Sequence, residues 1–320
     1  MKNFWSNKKV LVTGGTGFIG SYVSELLVKK GARVTVTTRN EQISNITHIQ
    51  KYITIQKADL NQFDHAHKVT KGQDVVINLV AKVAGIQFNR EHPAMMFSEN
   101  VRLVENVIEA ARLNRVERFL IVSSGCVYAR EAAIPITEAT GFTGDPEPTN
   151  LGYGWGKRVG ELFGRLYAAE YGMKVAIVRP FNTYGPRDDF DPATSHVIPG
   201  LIRRIYANEN PLVVWGSGKQ TRSFIYAQDF ARGLLELTEK YAVADPVNLS
   251  SNEEITIKEL ANLIIRLTQK NTKILFDASK PDGQPRRQVD TSKATDKIGF
   301  KTSISLEEGI QKTIEWYTHH

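Results

Sequence analysis

Short runs of β-branched and apolar residues alternate with stretches of helical period through the first part of the chain, a pattern that predicts strands alternating with helices. The predicted strands are Lys8–Thr13, Arg33–Thr38, Tyr52–Lys57, Asp74–Val80, Arg118–Val122 and Met173–Arg179. Between them, Ser21–Lys30 and Pro93–Leu113 carry helical periodicity, and a further helix is expected around Tyr153. No repeat or low-complexity stretch interrupts this order, so the expected fold class is α/β, a doubly wound parallel sheet of the Rossmann kind. From Tyr128 to Leu151 the pattern gives way to a loop with Pro135, Pro146 and Pro148, of a length used for lids and binding loops. Beyond residue 186 the strict alternation fades. Helical stretches at Ile198–Ala207, Phe230–Tyr241, Thr256–Thr268 and Leu306–Thr318, with short strands at Leu212–Trp215 and Val247–Leu249, predict a smaller mixed lobe. The expected division is therefore 1–186 and 187–320, with some segments of the second part returning to the first.

Composition narrows the class. The 320 residues are 41% hydrophobic and 23% charged, ordinary for a soluble globular enzyme. The formal net charge is +7, yet no run of five or more like charges occurs, which argues against a nucleic-acid-binding tail and suits anionic small molecules. A single cysteine, Cys126, excludes an intramolecular disulfide and a cysteine-based zinc site, and no metal is implied. The first residues, Met1-Lys-Asn-Phe-Trp5, lack the apolar core of a signal peptide, and no stretch reaches membrane-span length. A cytoplasmic protein with no membrane partner is expected.

Chemistry enters at the strand ends. Gly14-Gly-Thr-Gly-Phe-Ile-Gly20 follows the first strand and opens a helix, and its Gly14, Gly17 and Gly20 have the spacing that lets the backbone approach a pyrophosphate. Thr16, Phe18 and Ile19 belong to the same candidate dinucleotide loop. At the tip of the second strand, Thr37-Thr38-Arg39-Asn40 has no acid before Glu41. A carboxylate there would hold the adenosine ribose, whereas Arg39 suits a 2′-phosphate, so NADP is favoured over NAD. Asp59 and Leu60 stand where adenine would be met, although Asp59 equally fits a helix cap. Ala81 and Lys82 end the fourth strand beside the expected ribose, and Ser124 and Cys126 follow the fifth. Tyr153 and Lys157 lie four apart, one helical turn, where a fixed cation would favour the phenolate. Gly152, Gly154 and Gly156 share that turn at a cost of about 1 kcal/mol each, the mark of a functional site. The plain alternatives are a core-edge tyrosine beside a solvated lysine, a small buried Cys126 and a helix-start His196.

The combination of the 14–20 loop, Ser124, Tyr153 with Lys157, and Arg179-Pro-Phe-Asn-Thr-Tyr-Gly-Pro186 resembles the extended short-chain dehydrogenase/reductase family, which works on nucleotide-linked sugars. Ala81–Ile86, Glu147–Asn150, Ser195–Pro199, Val214–Gly218 and Lys280–Arg286 are similar to its branch of GDP-keto-sugar epimerase/reductases that form GDP-L-fucose. The resemblance implies an NADP-dependent epimerisation and reduction of a GDP-4-keto-6-deoxy-hexose. It implies Cys126 and His196 as the epimerising pair, Tyr153 as proton donor to the reduced oxygen, and Ser124 as that oxygen's hydrogen-bond partner. Lys157 would hold the nicotinamide ribose, with Pro180 also at the cofactor. Asn182, Val197, Arg204, Trp215, Arg222, Lys280 and Arg286 would hold the GDP-sugar. A homodimer through Pro93–Leu113 and Gly154–Tyr171 follows by the same resemblance. Dehydratases of the family carry an acidic pair where this chain has Gly125-Cys126, so water elimination is not expected. Two other readings stay open: a GDP-sugar 3,5- or 4-epimerase with tightly bound NAD and no net redox, and a non-catalytic dinucleotide sensor, against which Tyr153 and Lys157 both stand.

Overall fold

The computed structural model describes residues 3–40, 42–280 and 285–320. Met1 and Lys2, Glu41, and the 281–284 part of the Lys280–Arg286 segment lie outside the described residues. The first half runs β1 (Lys9–Thr13), α1 (Phe18–Lys29), β2 (Arg33–Thr38), β3 (Ile53–Lys57), α2 (Phe63–Thr70), β4 (Val75–Asn78), α3 (Ile86–Glu91), α4 (Pro93–Leu113), β5 (Arg118–Val122), α5 (Leu151–Tyr171) and β6 (Lys174–Pro180). The second half adds β7 (Thr183–Tyr184), α6 (Val197–Tyr206), β8 (Leu212–Trp215), β9 (Thr221–Ser223), β10 (Ile225–Tyr226), α7 (Ala227–Lys240) and β11 (Pro246–Leu249). It closes with β12 (Glu254–Thr256), α8 (Ile257–Thr268), β13 (Ile274–Asp277), β14 (Arg286–Arg287), α9 (Ser292–Ile298) and α10 (Leu306–His319).

Strand periodicity sorts the core. In β1, Val10 and Val12 face one side and Leu11 the other, and all three are fully buried, as a sheet covered on both faces requires. The sheet has seven strands in the order β11-β6-β5-β4-β1-β2-β3, every pairing parallel. Helices α1 and α7 pack together on one face, and α2, α4 and α5 on the other. The order reverses between β1 and β4, the point where such sheets bind ligands beyond their carboxyl ends. There the Thr13 hydroxyl donates to the Asn78 carboxamide oxygen at 2.7 Å and accepts from the Leu79 and Val80 amides, which stitches the two strand ends together.

A separate apolar core, built around Ile198, Ile202, Leu212, Leu260 and Ile314, joins α6, α8 and α10 to the parallel pair β8 and β13. Strand β11, from the later part of the chain, completes the large sheet beside β6. The predicted turn at 180–186 contains the two-residue strand β7, and α5 opens at Leu151, before Tyr153. The α5 glycines serve packing. A Cβ at Gly152 would lie 2.0 Å from the Pro93 carbonyl oxygen, and one at Gly154 2.6 Å from that of Cys126. Their cost is thus offset by a close approach of α5 to α4 and to the turn after β5.

Candidate active site

Beyond β5, the Ser124 backbone is extended and its hydroxyl accepts from the Cys126 amide at 3.1 Å, which starts a short 3₁₀ turn at Gly125–Val127. This local turn sets the thiol near the Tyr153 phenol and the Lys157 ammonium; negative charge on Cys126 raises the pKa of both. Tyr153 is hydrogen-bonded to the Ser124 side chain. The Lys157 Nζ donates to the Val122 carbonyl at 2.9 Å and sits 5.5 Å from the centre of the Tyr153 ring.

The expectation that Lys157 brings the tyrosine down is not met in this arrangement. Burial pushes the Tyr153 phenol well above its ordinary range, and the opposing influence is the Ser124 hydrogen bond. Lys157 faces the ring rather than dominating the hydroxyl, and burial draws its own pKa down to about 8. The pair is therefore a protonated phenol beside a readily discharged amine, and the phenol is a proton donor at neutral pH.

Three buried charged groups that the sequence reading did not select hold this turn in place. Arg158, 1% exposed, donates through Nε and Nη2 to the Val127 carbonyl and through Nη1 to that of Gly144. Glu161 and Arg179, both fully buried, form a two-point ion pair at 2.8 and 2.7 Å. Glu161 also accepts from the Ser123 hydroxyl, and Arg179 donates to the Tyr128 hydroxyl and the Glu138 carbonyl. One side of α5 thus carries Tyr153 and Lys157 while its next turns are tied to the ends of β5 and β6.

The cofactor loop has the shape a dinucleotide needs, but its three spaced glycines are not equivalent. Gly14 has φ +65°, a conformation that favours glycine, and a Cβ at Gly20 would fall 2.2 Å from the Gly14 carbonyl oxygen. Gly17 has φ −78°, which any residue adopts, and a Cβ there would stand 3.3 Å from the same oxygen, tight but not excluded. The Gly17 amide donates to the Gly14 carbonyl at 3.0 Å, so Gly17 closes the turn and caps α1. What its missing side chain leaves open is the space before the helix, where a pyrophosphate would approach. The first turn of α1 carries no acid, so its positive end faces the loop unopposed. The Thr16 hydroxyl reaches that of Thr38 at 3.4 Å, while Phe18 and Ile19 pack against the core. Arg39 is exposed at the end of β2. Asp59 accepts from the Asn61 amide at 3.1 Å and so caps a local turn, with Leu60 buried behind it. After β4, Ala81 is half-buried, and the Lys82 amide donates to Asn100 of α4 at 3.1 Å. Pro180 ends β6 opposite Leu249.

Of the residues expected to hold the substrate, Arg222 lies beside an arginine that reaches the turn after β5, and others are committed elsewhere. Arg222 is half-buried, and burial together with Arg287 lowers it to about 10. Its neighbour in register on β14 is Arg287, which donates to the Gly125 carbonyl, stands 5.6 Å over the Phe181 ring, and has a buried Nε with no hydrogen-bond partner among the described residues. Arg286 instead pairs with Glu254 at 2.9 Å on an exposed surface. The Arg204 guanidinium is engaged by Glu209 and the Val213 carbonyl, which anchors β8. The Asn182 side-chain Nδ2 donates to the Ser223 carbonyl at 2.8 Å. Trp215 is 64% exposed with the Lys280 ammonium 5.7 Å over its ring, and Val197 is exposed at the start of α6.

His196 caps α6 at the end of a loop that rests on the segment after β4, since a Cβ at Gly85 would lie 3.4 Å from the Ala193 carbonyl oxygen. Its imidazole is exposed, and Nδ1 stands 3.9 Å from Oδ1 of the buried Asp188. That carboxylate raises the histidine above its ordinary pKa.

Residues 10–250 match the NAD dependent epimerase/dehydratase family. The chain is 35% identical over 317 residues to a probable GDP-L-fucose synthase 1 of Oryza sativa subsp. japonica, covering 98% of this chain and 92% of the relative. An epimerase of Methanothermobacter thermautotrophicus superposes with a TM-score of 0.90 at 28% identity, covering 99% and 94% of the two chains. A GDP-L-fucose synthetase from Naegleria fowleri, solved bound to NADP, gives 0.84 at 28% identity over 98% and 93%.

Proposed function

This chain belongs to the NAD dependent epimerase/dehydratase family, and from that premise we propose that it is an NADP-dependent epimerase/reductase acting on GDP-4-keto-6-deoxy-hexose or a closely related GDP-keto-sugar. The observation that carries the reading is the meeting of a thiol with a serine-bound phenol and a buried lysine beyond β5, in a turn whose residues include no carboxylate. Epimerisation beside a ketone needs a base and an acid on opposite faces of the sugar, and reduction needs one proton donor at the oxygen. With Asp188 raising its pKa, His196 serves as the acid, which leaves Cys126 as the base. Cys126 takes the proton from carbon, His196 returns one to the other face, and solvent resets the pair.

NADPH, when bound, supplies the hydride for the ketone carbon. Tyr153 gives its proton to the ketone oxygen, which Ser124 steadies, and Lys157 holds the cofactor ribose beside the phenol. The 14–20 loop would hold the pyrophosphate and Arg39 the 2′-phosphate. Arg222 and Arg287 together suit the diphosphate of the sugar nucleotide, whose charge relieves two guanidiniums held side by side. We assign cofactor binding to residues 1–186 with β11, and sugar-nucleotide binding mainly to the rest.

A homodimer fits the surface: Met95 and Phe97 on α4, and Leu162 and Leu166 on α5, are exposed apolar residues on two helices packed side by side. A cytoplasmic setting is supported by the single free cysteine; no helix among the described residues is long and apolar enough to cross a membrane.

The test is to mix the protein with GDP-4-keto-6-deoxy-D-mannose and NADPH in heavy water, following NADPH absorbance and product mass together. NADPH loss with deuterium gained at carbon is expected. Deuterium gain without NADPH loss would make the protein an epimerase with no net redox, and neither change would rule out this substrate.

A further inference from the structure

The loop between β7 and α6 carries three carboxylates, Asp188, Asp189 and Asp191, and only Asp188 is buried. Its Oδ1 accepts from the Asp189 amide at 2.8 Å and faces His196 Nδ1 at 3.9 Å. Its Oδ2 is buried with no hydrogen-bond partner among the described residues. A carboxylate oxygen left unsatisfied inside a protein is costly unless a cation compensates it. The exposed imidazole of His196 stands within ion-pair reach of the other oxygen of the same carboxylate, Oδ1, and compensates its charge when protonated.

The position of His196 makes such a partner necessary. It is the cap of a ten-residue helix, α6, whose positive end disfavours a positive charge. An acid that must stay protonated there needs a compensating anion. The charged groups acting on the imidazole are Asp188, in contact, and Asp189 more weakly, and their combined influence outweighs its desolvation.

We propose that Asp188 is the positioning residue for His196: it draws Nδ1 inward, leaves Nε2 toward the sugar, and keeps the imidazolium charged against the dipole of α6. The proposal rests on the epimerase/reductase reading for its catalytic part only. In each turnover His196 Nε2 loses its proton to the carbon from which Cys126 has removed one. Burial pushes the Asp188 carboxyl up while His196 pulls it down, and Asp188 exchanges no proton with the sugar.

Asp188→Asn tests this without altering any group that touches the sugar. The His196 ring proton is followed by NMR against pH in the full chain without ligands, with Asp189→Asn as the exposed control. In the wild type His196 is expected to titrate above the ordinary histidine value, and in Asp188→Asn measurably lower than in the wild type; Asp189→Asn shifts it less. The alkaline limb of deuterium incorporation from heavy water moves down by the same amount, since that step requires protonated His196, while KM for the sugar nucleotide holds. A wild-type titration at or below the ordinary value overturns the pairing even if the variant misfolds, and so does an unshifted titration in Asp188→Asn. The NMR readout needs no substrate, so a shifted titration with no exchange on the chosen sugar upholds the pairing and removes the substrate assignment.

Discussion

Arg286 and Arg287 are adjacent and chemically identical, yet one pairs with Glu254 on the surface while the other reaches the Gly125 carbonyl beside Cys126. Neighbours on a strand face opposite ways, and the register of β14 with β9 sets Arg287 opposite Arg222. Arg286 was selected by the family resemblance, and a two-residue strand offers no periodicity by which the sequence could choose between the two faces. Arg287→Ala is expected to raise KM for the GDP-sugar about tenfold or more, the worth of a charge-assisted hydrogen bond, while Arg286→Ala leaves it within about twofold. Equal effects in steady-state kinetics would contradict the assignment. Asp188 was hidden for a related reason: three aspartates within four positions look alike in sequence, and burial alone separates them. The pairing of Tyr153 with Lys157 was suggested by their local spacing, and Ser124 and Cys126 were brought in by the resemblance; what surrounds them, and hence the direction of the Tyr153 shift, depends on contacts far along the chain.

At the scale of elements, α5 combines chemistry with anchorage. Tyr153 and Lys157 lie on its first turns, Arg158 and Glu161 on the next, and the last two are buried against the turn they support. Long, strongly patterned elements were read well: α4, β2, β5 and β8 have the bounds expected from their residues. The short helices α3 and α9 and the strands of two or three residues were missed, since each is stabilised by its partners rather than by its own pattern. The buried pair Glu161 and Arg179 has a testable energetic consequence. Glu161→Gln leaves the Arg179 guanidinium without its counter-charge and is expected to destabilise the fold by about 3–5 kcal/mol. Urea unfolding measures this directly, and a loss below about 1 kcal/mol would show that Tyr128 and the Glu138 carbonyl suffice to satisfy Arg179.

For the whole molecule, the proposed pairing of α4 and α5 with a second copy predicts a particle of twice the 35.9 kDa chain. Leu166→Glu sets a charge on the exposed face of α5 and is expected to give the single-chain mass in light scattering; a single-chain mass in the unaltered protein would dismiss the dimer. The parallel sheet as a class was legible from alternation, but the place of β11 beside β6 was not a matter of local pattern, because β11 crosses back from the later part of the chain, as does α7, which packs on the same sheet. That crossing also governs the order of events on the ribosome. When Pro180 has emerged, β6 is a raw sheet edge, and its partner at Pro246–Leu249 follows only after the intervening chain is made, on the order of several seconds at ordinary elongation rates. In that interval the backbone of β6 is open to any passing strand, so the nascent protein depends on the prompt arrival of β11, and a stall in translation between the two would expose it to aggregation.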